Sequence, residues 1–366
     1  MKILVLATNY PRTDGFISLQ YIHTRNRWYL KRKIDVSVIS FASKTDYLLD
    51  GVKVYTLRTY EEKLRLEKFD LIISHAPNIR NHYRFLRKYA DNFKNIVFFF
   101  HGHEVLRRSK LYPKPYNYIK KSSIASRAIT EVYDSFKLIA LKKYFVEVLN
   151  KSQFVFVSYW MYEMFLKFTK IDSRLIEERK HIIYNSIGED FEINSYDLKV
   201  EKLYDFITIR NSLDGSKYGI DIVARIALEN PQYKFCVVGK GEFFRHNKKP
   251  ENMEWIDKTL SHDEITIFLN RAKCALLPTR TDAQGVMACE MATFGIPLIT
   301  SNIDVCEEIF NGFTNVGYIN NEQKNIDIEK IFVKLTNNTH ETKNTKYFST
   351  ETIDKEVCLF KNILKS

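Results

Sequence analysis

Asp282 and Glu290 stand eight positions apart in a stretch built to present them. The apolar run Cys274 to Leu277 reads as a buried parallel strand, ended by Pro278. A polar loop follows, Thr279 to Gln284, and Gly285 opens a helical stretch from Val286 to Phe294. Gly295 and Pro297 close that helix, and Ile296 to Thr300 reads as the next strand. Asp282 lies in the loop, and Glu290 about a turn and a half into the helix. The loop sits at the carboxyl end of a strand, where open α/β sheets bind ligands. The first helical amides, near Gly285 and Val286, have no internal partner and suit an anion, most often a phosphate. Carboxylates beside a phosphate site suit hydroxyl groups, so a phosphate carrying two sugars fits. Either acid alone reads as an N-cap Asp or a surface Glu; the constellation points further.

Other residues suit the same chemistry. Asp205 to Ile209 reads as a strand, Arg210 ends it, and Lys217 stands seven residues on, at the head of the next helix. A planar guanidinium and a point-charge ammonium so placed can clamp a diphosphate from two sides. Tyr233 to Val238 reads as a strand ending in Gly239-Lys240-Gly241, where two glycines allow close backbone approach to a nucleotide. The strand Ile96 to Phe100 ends in His101-Gly102-His103-Glu104, which puts a His-Gly pair at the carboxyl edge of its sheet. Alternate histidines in one loop, with no further ligands, make a poor metal set, and no metal is expected. Gly15 lies in the turn-rich loop after the first strand, Ile3 to Ala7, and suits a cleft position. That loop lacks GxGxxG, so neither a nicotinamide nor a flavin is expected.

The elements that must position these residues alternate strand and helix in two halves. The first opens β-α-β with a helix from Phe16 to Tyr29 and a strand from Asp35 to Phe41, then continues through strands at 70–74, 96–100, 154–157 and 181–184. The pattern breaks near residues 188–203 and restarts. The reading is an α/β protein with a first domain at 1–190, a second at 200–350 and a terminal helix at 351–366. Five scattered cysteines, with no CxxC or CxxH spacing, exclude a disulfide framework and point to a reducing cytoplasm. No signal peptide or membrane-length apolar run is visible.

Charge is unevenly shared. Residues 1–150 hold 28 Lys/Arg against 13 Asp/Glu, while residues 151–366 hold 28 against 31. The basic excess calls for an anionic partner of the first half. Within residues 80–145, basic residues such as Arg107, Arg108, Lys110, Lys120, Lys121, Lys142 and Lys143 interleave with tyrosines and phenylalanines. That mixture suits an anionic membrane surface or an acceptor groove, with a solvated helix pair as the plain alternative. Nucleic acid rests on charge only and is not expected.

The acid-x7-acid spacing, the preceding Leu-Pro-Thr-Arg and the following Met-Ala-Thr-Phe-Gly-Ile-Pro-Leu-Ile-Thr-Ser resemble the second domain of retaining glycosyltransferases of GT-B fold, family 4. That family usually has Glu-Gly-Phe-Gly where this chain has Asp282-Ala283-Gln284-Gly285, so the first acid is one methylene shorter. Tyr184-Asn185-Ser186-Ile187-Gly188-Glu189-Asp190 resembles the family's linker, with Ser186 in place of Gly.

The resemblance implies two Rossmann-like domains facing a central cleft, with the last helix returning to the first. It implies sugar transfer from a nucleotide sugar, a UDP-linked one being expected, with retained anomeric configuration and no cofactor or metal. Arg210 and Lys217 would neutralise the diphosphate, helped by Gln284 and the amides near Gly285 and Val286, with Gly239 and Gly241 beside the nucleotide. Glu290 would accept from the ribose hydroxyls, Asp282 would hold the transferred sugar, and His101 would meet it from the opposite wall with His103 and Gly15 nearby. The acceptor would be a cell-surface glycan or a lipid-linked sugar, met by a cytoplasmic protein peripheral on the inner membrane face. Two alternatives stay open: a nucleotide-sugar epimerase of the same fold, and a membrane-associated partner subunit with a decayed sugar site.

Overall fold

A computed structural model describes residues 1–16, 18–119, 124–337 and 343–365. Lys120 and Lys121 of the basic stretch therefore lie outside the described residues. The chain divides into two compact units. One holds Met1–Arg108, Glu131–Ser186 and Phe348–Ser366; the other holds Ser109–Thr130 and Ile187–Tyr347.

The first unit is an eight-stranded sheet of β1 (Lys2–Ala7), β2 (Asp35–Ser40), β3 (Tyr47–Leu49), β4 (Val52–Tyr55), β5 (Leu71–His75), β6 (Ile96–Phe100), β7 (Ser152–Phe156) and β8 (Lys180–Ile182). The order is β3-β4-β2-β1-β5-β6-β7-β8. All neighbours are parallel except β3 and β4, a hairpin the sequence reading missed because its strands are three and four residues long. The central strands are buried on both faces, so β6 reads Ile-Val-Phe-Phe-Phe without alternation. The helices include α1 (Gln20–Lys31), α2 (Ile124–Glu147), whose first turns count with the second unit, and α3 (Tyr159–Thr169). Where a helix pair was the plain alternative for 105–150, a short helix, Arg108–Leu111, precedes α2, which runs unbroken for 24 residues.

The C-terminal helix, Ile353–Ile363, packs on α1. Glu356 is wholly buried and accepts from Arg25 Nε at 2.9 Å and from the Tyr29 hydroxyl. At the rim, Asp354 takes Trp28 Nε1 at 2.8 Å and the Arg32 guanidinium.

The second unit is a six-stranded, wholly parallel sheet: β9 (Tyr204–Ser212), β10 (Phe235–Lys240), β11 (Met253–Ile256), β12 (Ala272–Leu276), β13 (Leu298–Ser301) and β14 (Val316–Ile319). Its order is β11-β10-β9-β12-β13-β14. The chain winds outward from β9 through β10 to β11, then returns to β9's other side with β12. The topological switch point therefore lies between β9 and β12, where their carboxyl-end loops meet. Helices α4 (Ile220–Glu229), α5 (His262–Asn270), α6 (Val286–Phe294), α7 (Asp304–Phe310) and α8 (Ile328–Thr336) connect and cover the strands. Short strands β11 and β14 were not legible beforehand, being half-exposed edges.

One boundary departs from the sequence reading, which gave all of residues 1–190 to the first domain. Ser109–Thr130 packs with the second unit. The reason is polar: Tyr116 and Tyr118 donate their hydroxyls to Asp221 and Asp214, at 2.8 and 2.7 Å. Among the described residues, no helix is long and apolar enough to cross a membrane.

Candidate functional site

β9 carries its pattern past Ile209, so Arg210 lies inside the strand rather than after it. Its side chain is 9% exposed. One terminal nitrogen, Nη2, donates to the Pro278 carbonyl just beyond β12, at 2.9 Å. Its Nε is buried without a partner. The guanidinium lies 4.9 Å from the centre of the Tyr218 ring. Lys217 follows on a single tight turn, Ser216–Tyr218, and its Nζ lies 4.7 Å from the same ring. Neither cation has a carboxylate within ion-pair distance among the described residues. Burial presses the Arg210 pKa down, against the field of Asp282. Burial also presses on Lys217, but Asp282, Tyr218 and Tyr112 outweigh it and hold its pKa above the ordinary lysine value.

The loop after β12 is stitched to that turn. The Arg280 amide and the Thr279 hydroxyl donate to the Lys217 carbonyl at 2.8 and 3.2 Å. The Arg280 guanidinium binds both oxygens of Asp221, at 2.9 and 2.6 Å, and the Ser216 carbonyl at 2.8 Å. Asp282 Oδ1 accepts from the Ala283 amide at 2.8 Å, which folds the loop back on itself. Gly285 then adopts φ 72°, a left-handed turn in which any Cβ is strained. α6 starts there without a side-chain cap, so its first amides open toward the loop. Arg210, Asp282, Gln284, Gly285 and Ala288 line one pocket. Gln284 is buried, while Val286, at the first helical position, is half-buried.

Glu290 is not among the residues that line this pocket. It lies two residues after Ala288, about 200° around the helix. It is buried, and Oε1 accepts from the Gly188 amide at 3.1 Å with His262 Nε2 at 3.8 Å. Burial raises its pKa, against His262 and the Gly188 amide. A side chain at Gly188 would strike the His262 ring at 2.6 Å. The two glycines after β10 also have protein neighbours. A Cβ at Gly239 would lie 2.1 Å from the Arg210 carbonyl, and one at Gly241 3.1 Å from the Asp214 carboxylate.

In the first unit, His101 is half-buried under Tyr21, with ring centres 4.3 Å apart. His101 Nε2 and His75 Nδ1 are 3.0 Å apart, so one proton is shared along that line and only one ring donates it. Burial holds both pKa values well below the usual histidine range, and each ring is neutral near pH 7. His103 is exposed, and its Nδ1 lies 3.9 Å from Glu104, whose carboxylate is fixed by the His101 and Gly102 amides. Gly15 has φ 85° and open space where a Cβ would be. Its turn needs glycine, and the neighbouring cleft is lined by Arg12, Asp14, Ser43, Lys44 and Tyr47.

The sequence did not point to Tyr218 as the shared ring, to Arg280 and Asp221 as the stitch, or to His75 and His262. Arg280 and Tyr218 lie beside residues that were singled out, so local inspection had the signal. His75 is linked to its partner only through sheet pairing. Among the described residues, no three His, Cys, Asp or Glu side chains converge to hold a metal ion.

Residues 210–351 match the Glycosyl transferases group 1 family. Over those residues the chain is similar to group 1 glycosyltransferases. It is 25% identical over 205 residues to the O-antigen biosynthesis glycosyltransferase WclY of Escherichia coli, across 51% of this chain and 57% of that protein. The chain thus spans about half the length of the curated relatives it matches. Solved structures share the fold over the whole length. Sucrose-phosphate synthase from Thermosynechococcus elongatus has a TM-score of 0.70 at 11% identity, covering 100% of this chain and 99% of its own. A glycosyltransferase from Rickettsia africae has 0.69 at 12%, with the same coverage. The architecture is therefore GT-B, with two parallel-sheet Rossmann-like domains.

Proposed function

We propose that this protein is a retaining glycosyltransferase. It moves a sugar from a nucleotide-sugar donor, UDP-linked, to a glycan or lipid-linked acceptor in cell-surface polysaccharide synthesis. One observation carries the reading. Arg210 and Lys217 flank a single aromatic ring without a carboxylate partner, beside the open N-terminus of α6. Buried cations lacking a counter-ion are costly unless an anion joins them.

In this mechanism the bond between the sugar's anomeric carbon and the diphosphate oxygen breaks, and the electron pair stays on the diphosphate. Arg210, Lys217 and the α6 amides neutralise that growing charge, which lowers the barrier because they are already in place. The acceptor oxygen bonds the anomeric carbon on the same face, and its proton passes to the departing diphosphate. Asp282 holds the sugar's hydroxyls. Glu290 accepts from the ribose hydroxyls with the lone pairs that Gly188 leaves. His101 acts on the acceptor side through its surroundings. Asp282 and Glu290 are not an acid and nucleophile pair. No metal is required, since the two cations do its electrostatic work.

The acceptor side sits at an anionic membrane, with the protein cytoplasmic and peripheral. The support is α2. Its inner face is buried, yet Val132, Phe136 and Ile139 on the outer face are 71%, 62% and 70% exposed, with Lys143 among them. Apolar residues flanked by lysine suit an interfacial helix. The likeness to an O-antigen enzyme supports the acceptor class.

A thermal-shift panel of nucleoside diphosphates tests the donor half, because ligands of the native state raise the melting point. UDP should stabilise the protein, and less so the Lys217→Met variant. No shift with any nucleotide sinks the donor reading. Unaltered co-sedimentation of Phe136→Ser/Ile139→Ser with anionic vesicles sinks the membrane reading. Anomeric inversion in the product sinks retention.

A further inference from the structure

Residues 109–119 leave the loop that follows β6 and lie on the second unit's sheet edge. Three tyrosines fix them there. Tyr116 donates to Asp221 Oδ1 at 2.8 Å and packs its ring on Phe243 with centres 4.9 Å apart. Tyr118 donates to Asp214 Oδ1 at 2.7 Å and stacks on His246 at 4.5 Å and 11°. The same Asp214 oxygen accepts from the Glu242 amide at 2.9 Å. Tyr112, the first of the three, ends with its ring 5.5 Å from Lys217 Nζ.

The consequence concerns how Lys217 is held. A carboxylate would fix an ammonium by consuming its N–H groups and cancelling its charge. Two aromatic faces fix it through the ring quadrupole and leave the N–H groups to be donated elsewhere. Lys217 Nζ lies over the rings of both Tyr218 and Tyr112, and the carboxylate whose field reaches it, Asp282, stays beyond ion-pair distance. Asp221 is bound by Arg280 and Tyr116; Asp214 is bound by Tyr118 and a backbone amide. The anchors that hold the segment thus also draw the two acids toward their own partners.

We infer that Tyr112 is a positioning residue of the donor site, holding Lys217 on an aromatic face with its charge uncancelled by a carboxylate and available to a diphosphate, and that Tyr116 and Tyr118 hold it in place. The inference rests on the donor-clamp reading above and adds a wall supplied by a segment about 100 positions away in sequence.

The test is calorimetric binding of inorganic pyrophosphate and of UDP to the full-length protein, with donor and acceptor KM and kcat measured alongside. Tyr112→Phe keeps the ring and should bind as the wild type does. Tyr112→Leu loses it and should weaken pyrophosphate and UDP roughly 3- to 30-fold, the range of a partly desolvated cation–π contact. Donor KM should rise by a similar factor, while acceptor KM and the melting temperature stay unchanged. Tyr116→Phe/Tyr118→Phe should give the same donor defect with Tyr112 intact. Lys217→Met separates the two levels. If it abolishes pyrophosphate binding while Tyr112→Leu binds normally, the clamp stands and this inference falls. If Lys217→Met also binds normally, or the wild type binds neither probe, both fall. Tyr112→Phe binding as weakly as Tyr112→Leu would assign the effect to the hydroxyl instead of the ring and overturn the assignment.

Discussion

Two buried arginines, one in each unit, are held in opposite ways. Arg25 is 1% exposed and donates Nε to a wholly buried carboxylate, Glu356, at 2.9 Å, so its charge is answered although its Nη2 has no partner. Arg210 is 9% exposed and has a ring, one carbonyl and an unpartnered Nε. The first arrangement closes on itself and ties α1 to the C-terminal helix. The second leaves charge unanswered, which a fold tolerates where something else supplies the answer. A cation whose charge is answered inside the fold holds the scaffold, while one whose charge is left unanswered marks the site.

Breaking the first pair should have the largest effect. Arg25→Met leaves Glu356 buried without its counter-ion, which costs about 3–5 kcal/mol in urea unfolding. Adding Glu356→Leu should restore most of that, because two apolar groups need no partner. A double variant as unstable as the single one would show that the pair is not the reason. Arg210→Met should have the opposite profile. Transfer should fall about 10²- to 10³-fold in kcat/KM, as when one preorganised donor is lost. The melting point should hold or rise, since a buried, unpaired charge is removed. If it falls as far as in the Arg25 variant, the contrast between the two arginines is wrong.

Smaller changes sharpen the same contrast. Gly285→Ala forces a Cβ into φ 72° and should cost about 1–2 kcal/mol of stability, read by chemical denaturation. The crowding there is slight, with Asp282 Oδ2 3.5 Å from the added atom, so donor binding should weaken only through the displaced amides. Last, the exposed capping box on α5 should respond to acid. The Lys258 hydrogen bond and the Ser261 amide and hydroxyl hold the Glu264 pKa down to about 2. A depressed carboxylate contributes stability above its unfolded value, near 4.5, and loses it as pH falls toward 2. Amide exchange in His262–Asn270 should quicken over that window ahead of the sheet. Exchange that stays level through it removes the cap from the account.

Much of the frame could be read from the chain. β6 and α6 begin and end where their apolar run and glycine signals put them. Such elements declare themselves because each boundary is set by nearby residues: a proline, a left-handed glycine, a cap. The β3–β4 hairpin and the edge strands β11 and β14 did not, since a few half-exposed residues leave no periodicity to count. In the site, Arg210, Lys217, Asp282 and Gly285 were legible as residue types at the ends of strands. Glu290 and the Gly239–Gly241 pair were legible too, but not their neighbours, because Gly188, His262 and Asp214 approach from other elements.

The sequence by itself determined the alternation of the long buried strands with helices, the glycine-led start of α6 and the supply of cations ahead of it. Those are properties of short stretches, fixed by backbone sterics and side-chain periodicity within a few residues. Only the tertiary structure decided that Arg210 and Lys217 share Tyr218, that His101 is bonded to His75, and that Tyr112 reaches Lys217. Each of those depends on which strands pair and where a long excursion comes to rest. That is settled by the burial and hydrogen bonding of the whole fold, and no local window contains it.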